Sequence, residues 1–303
     1  MTLLTQILVS GIGFALPLLV AAVGELVSER AGALNLSLEG MMLSGAFCAV
    51  LGSVTTGSPW LGAVAGVLGG LLLGAAQALL SVRALADQIV VGIAANALAL
   101  AASTFGARLV FTGGTEVPAF DRLPIPVLHD IPVLGPAVFS QTALGWICVL
   151  VVVVTAVLLG PRTGRGLRID ATGEDAVAAD RTGLPVRRLR ALCILLTSAM
   201  AGLAGAQLAL SEVRAFSDNM TAGIGYLAVV AVIAGRWRAP GTALAAVLFG
   251  LAQALQYALP ALGVAVPPAL LTMIPYAIAV VAVSGLAGSS RAPSCLTVPF
   301  ARA

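Results

Sequence analysis

Apolar residues run along this chain in nine stretches that are separated by short polar or glycine- and proline-containing breaks. The stretches cover residues 3–27, 36–54, 59–82, 87–110, 140–160, 190–210, 222–235, 240–259 and 268–286. A helix of about 20 mostly apolar residues crosses the hydrocarbon core of a bilayer, where each span must satisfy its own backbone hydrogen bonds. The pattern therefore predicts an all-α, polytopic transmembrane helix bundle of about nine spans, forming one domain over residues 1–303. The seventh stretch is short and glycine-rich, so both a full span and a re-entrant segment near Asp218 to Tyr226 remain open.

The composition requires a lipid bilayer as the solvent of this chain. Of its 303 residues, 59% are hydrophobic and only 10% are charged, whereas a soluble domain averages about 25% charged residues. The 34 glycines suit the close backbone contacts of membrane helices. The N-terminus lacks a basic region and an obvious cleavage site, so we interpret residues 3–27 as a first span instead of a removable signal peptide.

The arginines fall in alternate loops and set the expected orientation. One set of loops carries Arg30, Arg83, a cluster from Arg162 to Arg190, Arg236 with Arg238, and Arg291. The intervening loops hold only Arg122 and Arg214, with Arg108 at a helix end. Because arginine excess marks the cytoplasmic side, nine spans place the N-terminus outside and the C-terminus inside. A composition rich in Ala, Gly, Val and Arg is typical of a GC-rich bacterium, so we expect a multi-pass protein of the bacterial plasma (cytoplasmic) membrane.

The residue types present exclude several kinds of chemistry. The chain has no lysine, so it has neither a Walker A phosphate loop nor a Schiff-base lysine. The single histidine, His129, excludes a His-rich metal site, and no nucleophile has a base beside it. The four cysteines are scattered, and the net charge of +3 is too small to indicate nucleic acid as a partner. We therefore expect no catalytic residues, no metal and no cofactor.

The predicted external loop over residues 111–139 is rich in proline, with Pro118, Pro124, Pro126, Pro132 and Pro136. Proline stiffens a segment and denies it helix. Two interpretations stay open: a rigid lid over the bundle, or a docking surface for an external protein.

The predicted cytoplasmic loop over residues 161–190 carries seven arginines and a short helix of its own. Thr172 to Asp175 match a capping box with Thr172 as the N-cap, and Gly183 followed by Pro185 is a stop signal. A helix of about ten residues is marginal alone in water. The sequence therefore predicts that a partner protein packs against it.

Residues 171–183 contain the pattern Ala-Ala-x-x-x-Gly at Ala178, Ala179 and Gly183, which resembles the coupling-helix motif of ABC importer permeases. Longer segments are similar to one branch of these proteins, the permeases for simple sugars and nucleosides related to branched-chain amino acid permeases. The segments are Gly24–Phe47, Ala86–Leu100, Asp218–Gly250 and the tail Arg291–Pro293, so the resemblance covers most of the chain. Ser37 stands where many relatives carry glycine.

The resemblance implies a set of partners and a set of coupling residues. Such permeases sit on cytoplasmic ATPase subunits, pair with a second permease that is homologous or identical, and receive substrate from an external binding lipoprotein. The branch with this segment looks most like nucleoside importers. The resemblance assigns ATPase coupling to Glu174, Ala178, Ala179, Asp180 and Gly183.

Polar residues inside apolar runs are the candidates for the substrate path, because burying them unsatisfied in lipid is costly. These candidates are Asn35, Glu39, Gln77, Gln88, Asn96, Asn219 and Gln253. Their side chains could bind the hydroxyls and base edges of a nucleoside, or could join helices by interhelical hydrogen bonds. Glu25, Glu29, Glu39 and Asp87 are expected near inner helix ends. Four apolar side chains could line a path for a flat base, or could serve only as packing or lipid-facing residues: Met41, Met42, Phe47 and Phe249.

The rival interpretations are a simple sugar importer permease, an ion-coupled secondary transporter, a passive channel, a membrane enzyme and an accessory protein. A secondary transporter usually places ionisable residues near the midplane, and the pattern shows no acid in the middle of any span. A channel would leave the capped cytoplasmic helix unexplained.

Overall fold

A computed structural model describes residues 3–111, 116–126, 131–132, 134–160, 162–261, 267–286 and 292–301. The α-helices are α1 (Leu3–Arg30), α2 (Leu38–Thr56), α3 (Pro59–Ala78), α4 (Gln88–Val110), α5 (Leu134–Val138), α6 (Ala143–Leu158), α7 (Gly164–Glu174), α8 (Ala176–Arg181), α9 (Val186–Gln207), α10 (Ile224–Ala234), α11 (Ala239–Ala261) and α12 (Pro268–Leu286). Short π-helical turns, Leu79–Arg83 and Leu208–Val213, extend α3 and α9. Within the described ranges the chain has no β-strand, only an isolated bridge between Arg122 and Thr142. The all-α prediction is confirmed there, while His129 and Arg291 lie outside the described residues.

Each of the nine apolar stretches contains a helix, but the helices differ in length. Among the described residues, six helical segments are long and apolar enough to cross a membrane: those of α1, α2, α3, α4, α9 and α11. The apolar parts of α6, α10 and α12 are shorter. The chain is therefore a multi-pass helix bundle, and the number of complete spans stays a prediction.

Glycine contacts hold the central helices together. A Cβ atom placed on Gly45 of α2 would lie 2.6 Å from the Cα atom of Gly202 in α9, and one on Gly70 of α3 would lie 2.7 Å from the same atom. A Cβ on Gly202 would meet the carbonyl oxygen of Gly66 at 2.5 Å. The three helices therefore pack backbone against backbone, as small residues allow in membranes.

The loops gather at two ends of the bundle, as the alternation of arginines predicts. At one end Arg30 pairs with Asp170, the guanidinium of Arg190 donates to the carbonyl of Ala31 at 3.1 Å, and Trp237 follows α10. We call this the arginine-rich end. At the opposite end the loop after α4 contacts the end of α9, where Phe120 N donates to Leu210 O at 3.0 Å. The assignment of the arginine-rich end to the cytoplasm remains a prediction from charge.

The predicted cytoplasmic helix is in fact two helices, and the prediction of Thr172 as its N-cap is wrong. Thr172 lies inside α7, where its hydroxyl donates to the carbonyl of Arg168 at 2.9 Å. The chain becomes extended at Asp175, whose carboxylate accepts from Val177 N at 3.0 Å and Ala178 N at 2.9 Å and so caps α8. The residues before Thr172 are compatible with a helix, so α7 continues past this predicted N-cap and ends just before Asp175.

Candidate functional site

The segment between α1 and α2 folds back into the bundle, and we call it the first interruption. Residues 31–37 are non-helical, and Asn35 N donates to Glu25 Oε1 at 2.9 Å. Glu25 lies more than one turn before the end of α1 at Arg30. The segment therefore turns back alongside α1, and α2 begins within the bundle instead of at its edge.

A second interruption lies before α10. Residues 214–223 are non-helical, and the 11 residues of α10 rise about 16 Å, roughly half of a hydrocarbon core of about 30 Å. From there the chain reaches the arginine-rich end, where Trp237 Nε1 donates to Glu29 Oε2 at 2.5 Å. The structure thus favours the re-entrant alternative over a full span at residues 222–235.

Glu39 joins the two interruptions. Its carboxylate accepts from the Thr221 hydroxyl at 2.5 Å, Gly223 N at 2.8 Å and Gly225 N at 2.7 Å. The side chain is buried, and no ion pair to it is formed by the described arginines. It lies where the N-termini of α2 and α10 meet, and the partial positive charge of a helix N-terminus stabilises an anion.

Glu39 lies in the first turn of α2, so the prediction that it stands at a helix end is confirmed. Thr221 belongs to the segment that follows Arg214, which the arginine pattern places outside, yet Glu39 and Thr221 are in direct contact. The segment before α10 therefore reaches the start of α2, which the arginine pattern could not show.

Asn96 supports the start of α2 from a neighbouring helix. Its Oδ1 accepts from Gly40 N at 2.7 Å, and its Nδ2 donates to Leu36 O and to the Tyr226 hydroxyl, both at 2.8 Å. Both amide hydrogens are thus used within the chain. For Asn96 the structure favours the interhelical interpretation over direct binding of substrate.

Gln88 and Asn35 serve the same interruption. The Oε1 atom of Gln88 accepts from Leu34 N at 2.8 Å, and Asn35 Oδ1 accepts from the Ser37 hydroxyl at 2.5 Å. Gln88 is 4% exposed and Asn35 is fully buried. We call Glu39, Gln88 and Asn96 the polar brace, because their side chains satisfy backbone groups that the broken helices leave unpaired.

The other predicted path residues lie apart from the polar brace. Asn219 is exposed in the segment before α10, with a left-handed φ of +55°. Gln253 is 8% exposed on α11, and Gln77 is 1% exposed on α3. Within the described part of the chain, Gln253 Oε1 and both polar side-chain atoms of Gln77 have no hydrogen-bond partner.

Two tyrosines that sequence reasoning missed stand beside the second interruption. Tyr226 is 44% exposed and accepts from Asn96, and Tyr276 is 40% exposed and donates to Ala222 O at 2.7 Å. With Asn219 they form a hydroxyl- and amide-bearing surface that we call the tyrosine face. Tyrosine counts as apolar in a span, so only the position of Tyr226 directly after Gly225 could have singled it out, and nothing near Tyr276 in the sequence marks that residue.

Phenylalanines from three elements pack together near the start of the second interruption. The ring centroid of Phe47 lies 5.8 Å from that of Phe111 and 5.5 Å from that of Phe216, and the last two rings are 5.9 Å apart. Phe47 belongs to α2, Phe111 follows α4, and Phe216 lies in the non-helical segment. We call them the phenylalanine cluster.

The described part of the proline-rich loop lies against the bundle. The Ser53 hydroxyl donates to Pro118 O at 2.5 Å, and the Phe120 ring stacks edge-on against Trp60 with centroids 4.8 Å apart. Phe120 is 5% exposed. These contacts favour the lid over the docking surface.

The predicted coupling residues gather at the arginine-rich end. Ala178 and Gly183 are exposed, Asp180 is half-buried, and Glu174 is exposed with its Oε2 accepting from the Ser294 hydroxyl at 3.1 Å. Gly183 ends the turn after α8 with a φ of +87°, and no atom lies within 4 Å of its Cβ position.

Ala179 faces inward and does not share that exposed surface. It is 4% exposed and belongs to a small apolar cluster with Ala176 and Val186, against which Cys295 and Phe300 pack. Its role is therefore to hold α8 in place, while the outer face of α8 carries Val177, which is 53% exposed.

The C-terminal residues 292–301 form a strap over this region, which sequence reasoning did not predict. Cys295 N donates to Gly173 O at 2.8 Å, in the last turn of α7. Arg190, 3% exposed, donates to Val298 O at 2.7 Å and to Cys295 O at 3.4 Å. We call residues 292–301 the C-terminal strap; it fixes the position of α8 on the bundle.

Comparison with known proteins identifies a matching family and several similar permeases. Residues 7–283 match the family described as the permease component of branched-chain amino acid transport systems. The chain is similar to the guanosine ABC transporter permease protein NupQ of Bacillus subtilis, with 33% identity over 95% of this chain and 93% of the relative. It is also similar to the nucleoside ABC transporter permease protein NupC of Lactococcus lactis, with 32% identity over 92% of each protein.

A third relative and a solved structure extend the comparison. A permease provisionally assigned to glucose import in Haloferax volcanii is 36% identical over 83% of this chain and 77% of the relative. A solved ABC transporter in an inward-facing conformation has 17% identity and a TM-score of 0.54, and the match covers 93% of this chain and 86% of that one. The latter likeness shows the fold of an ABC transporter permease.

Proposed function

Because this chain belongs to the family of permease components of branched-chain amino acid transport systems, we propose that it moves nucleosides as the permease subunit of an ATP-driven importer. The observation that carries the nucleoside assignment is the likeness to NupQ and NupC, each over more than nine-tenths of this chain. In our proposal it works in the bacterial plasma membrane with its N-terminus outside and its C-terminus inside.

The substrate path runs beside the two interrupted spans. The polar brace is committed to backbone groups, so it holds the path open and does not bind the solute. The tyrosine face supplies the half-exposed Tyr226 and Tyr276 and the amide of Asn219. The Tyr226 hydroxyl accepts from Asn96 and keeps its hydrogen to donate, whereas the Tyr276 hydroxyl donates to Ala222 O and keeps a lone pair to accept. These groups suit a neutral nucleoside, whose ribose hydroxyls and base edges both donate and accept hydrogen bonds.

The phenylalanine cluster suits the other half of a nucleoside. Its rings lie where the non-helical segment before α10 begins, at the end opposite the arginine-rich end. An aromatic ring stacks or packs edge-on against another flat ring with a gain of about 0.5–1.5 kcal/mol beyond area burial. A base arriving from the external lipoprotein would meet these rings before it reaches the tyrosine face.

In our proposal a separate ATPase subunit in the cytoplasm hydrolyses the ATP, because this chain has no lysine for a Walker A loop. In our proposal the ATPase binds the outer face of α8, formed by Val177, Ala178 and Gly183. Glu174 and Asp180 flank this face as possible partners for cations of the ATPase. A second permease, identical or homologous, completes the path.

A simple sugar importer is the second candidate, favoured by the likeness to the Haloferax volcanii permease. Ribose and hexose hydroxyls would both suit the tyrosine face. Only a nucleoside brings a flat base, so the phenylalanine cluster favours the first candidate.

Uptake by cells with and without this gene tests the substrate. We expect radiolabelled guanosine or adenosine to enter only in cells that carry the gene, and unlabelled glucose or ribose not to compete. Competition by glucose at concentrations where guanosine does not compete would replace the nucleoside proposal by the sugar one.

A glycine pair tests the coupling assignment. Gly183 and Gly57 both have left-handed φ values, +87° and +69°, and neither has an atom within 4 Å of its Cβ position. Gly183→Leu and Gly57→Leu therefore impose a similar backbone strain of about 1 kcal/mol. We expect Gly183→Leu to abolish uptake with normal amounts of protein in the membrane, and Gly57→Leu to retain it. Equal uptake by the two variants would remove α8 as the ATPase contact.

A labelling experiment tests the orientation independently. In a chain that carries Cys295→Ser, we expect Val177→Cys to resist a membrane-impermeant maleimide in intact cells and to react in broken cells. Labelling in intact cells would place α8 outside, and the coupling proposal would have to be withdrawn.

A further inference from the structure

A large cleft opens at the arginine-rich end, away from both interrupted spans. Its volume is about 1130 Å³, and it lies between α6 and the start of α11. The α6 wall is apolar and includes Val153 and Val157, which are 53% and 63% exposed. Exposed valines on an apolar helix of a multi-pass protein suit contact with the acyl chains of lipids.

The mouth of the cleft carries an excess of positive charge. Three arginines and two acids line it: Arg30, Arg236, Arg238, Asp170 and Glu174. Arg30 is held by Asp170 in a two-pronged pair, with Nε–Oδ1 at 2.7 Å and Nη2–Oδ2 at 2.5 Å. Arg236 and Arg238 are both exposed, and with Asp170 and Glu174 counted against the three arginines the mouth has a net charge of +1.

The turn that presents these two arginines is built to a fixed shape. Arg236 and Trp237 both adopt left-handed φ values, +57° and +53°, which non-glycine residues rarely take. The Trp237 indole is anchored by its hydrogen bond to Glu29, which is fully buried in α1. A tryptophan between two arginines just after an apolar helix is typical of the membrane interface.

We infer that this cleft binds an anionic phospholipid of the adjacent leaflet, with its phosphate at Arg236 and Arg238 and an acyl chain along α6. The cleft is larger than the 300–1,000 Å³ range of ordinary small-molecule pockets. A phospholipid has a charged headgroup and apolar acyl chains. The cleft suits both parts, because it has cations at the membrane interface and an apolar wall toward the membrane core. A neutral nucleoside would not need the arginines, and the cleft contains no residue of the tyrosine face.

The test uses the purified full-length permease in detergent, with phosphatidylglycerol and phosphatidylcholine added separately. We expect phosphatidylglycerol, but not phosphatidylcholine, to raise the unfolding temperature and to remain bound in native mass spectrometry. The double variant Arg236→Gln/Arg238→Gln should bind phosphatidylglycerol about thirtyfold more weakly. Arg187→Gln/Arg188→Gln is the matched control, because it removes two exposed arginines of the same end that lie outside this cleft.

A second variant separates the apolar wall from the charges. Ala156→Trp fills the wall while leaving every arginine in place, so it should also displace the retained lipid. Equal responses to the two lipids, or an undiminished response of the Arg236/Arg238 variant, would overturn the inference. Another outcome would also overturn the inference. If Arg236→Gln/Arg238→Gln no longer bound a co-expressed ATPase subunit but still retained its lipid, the cleft would be a protein-docking site. None of these outcomes depends on whether nucleosides are the substrate.

Discussion

Replacing Glu39 by glutamine tests whether one carboxylate joins the two interrupted spans. The change keeps the shape of the side chain but exchanges one acceptor oxygen for an NH₂ group. Three donors converge on this carboxylate, namely the Thr221 hydroxyl and the backbone N–H groups of Gly223 and Gly225. A single glutamine oxygen cannot serve donors that approach both oxygens of the carboxylate.

The expected loss follows from the contacts. Gly223 N donates to Oε1 and Gly225 N donates to Oε2, so in either amide orientation one of these N–H groups faces NH₂. An unsatisfied buried donor costs about 1–3 kcal/mol, and loss of the charge at the α10 N-terminus costs about 0.3–2 kcal/mol more. Release of a buried charge offsets part of this. We expect a net destabilisation of about 2 kcal/mol, or a fall of roughly 4–8 °C in the unfolding temperature by the scaling of domains with 150–250 residues.

Asp87→Asn is the matched control for this change. Asp87 also caps a helix N-terminus, where its Oδ1 accepts from Ile89 N at 2.8 Å and Val90 N at 3.0 Å. It is exposed, and asparagine caps helices as well as aspartate does. We expect its unfolding temperature to stay within about 2 °C of the wild type.

The assay is thermal unfolding of the full-length permease in detergent, followed by size-exclusion chromatography of the surviving fraction. Glu39→Gln should lose the folded peak first, and nucleoside uptake should fall with it at growth temperature. If Glu39→Gln and Asp87→Asn unfolded at the same temperature, the carboxylate would not be what holds the α2 and α10 termini together.

Three further predictions follow from other contacts. Arg190→Met removes the hydrogen bonds to the C-terminal strap, so limited proteolysis should release the strap more rapidly. The rate should be about tenfold higher than in the control Arg188→Met, because Arg188 is exposed. Gly225→Ala puts a methyl group 2.5 Å from backbone atoms at the start of α2 and should lower the unfolding temperature, whereas Gly164→Ala, with no atom within 4 Å, should not. Tyr226→Phe removes the hydroxyl that accepts from Asn96 on a side chain that is 44% exposed, and should raise the KM of nucleoside uptake about twofold to tenfold at an unchanged protein level. An unchanged KM would exclude this hydroxyl from the path.

The helical character of the bundle could be predicted because the bilayer leaves few alternatives. Each long apolar stretch contains a helix, and the alternate arginine loops gather at one end, as Arg30 and Arg190 show. Both results follow from rules that act locally along the chain, hydropathy and charge. The short helix after Asp175 was also visible from its capping residues, although the cap itself was misplaced by three residues.

Hydropathy indicates where the two breaks lie but not how they are held. Most of residues 31–37 fall between the predicted stretches 3–27 and 36–54, and residues 214–221 include Arg214, Asp218 and Asn219, so the apolar pattern ends there. What hydropathy does not show is tertiary: side chains such as Gln88 and Asn96, more than 50 residues along the chain, supply hydrogen bonds that the backbone near the first break lacks. The C-terminal strap was missed for the same reason, since its contacts are with backbone groups and with Arg190.

The polar side chains inside the spans have to be interpreted together with the helix breaks beside them. Every break inside a membrane leaves backbone donors and acceptors that water cannot reach, and each one left unpaired costs several kcal/mol. A polar residue in an apolar run can therefore pair with the backbone at a neighbouring helix break, and does not by itself indicate a solute-binding site. Glu39 and Asn96 both accept hydrogen bonds from backbone N–H groups at such breaks. The solute must then be recognised by groups that remain exposed after the backbone is satisfied. In our proposal those are the tyrosine face and the phenylalanine cluster, so specificity should depend on residues that hydropathy counts as apolar.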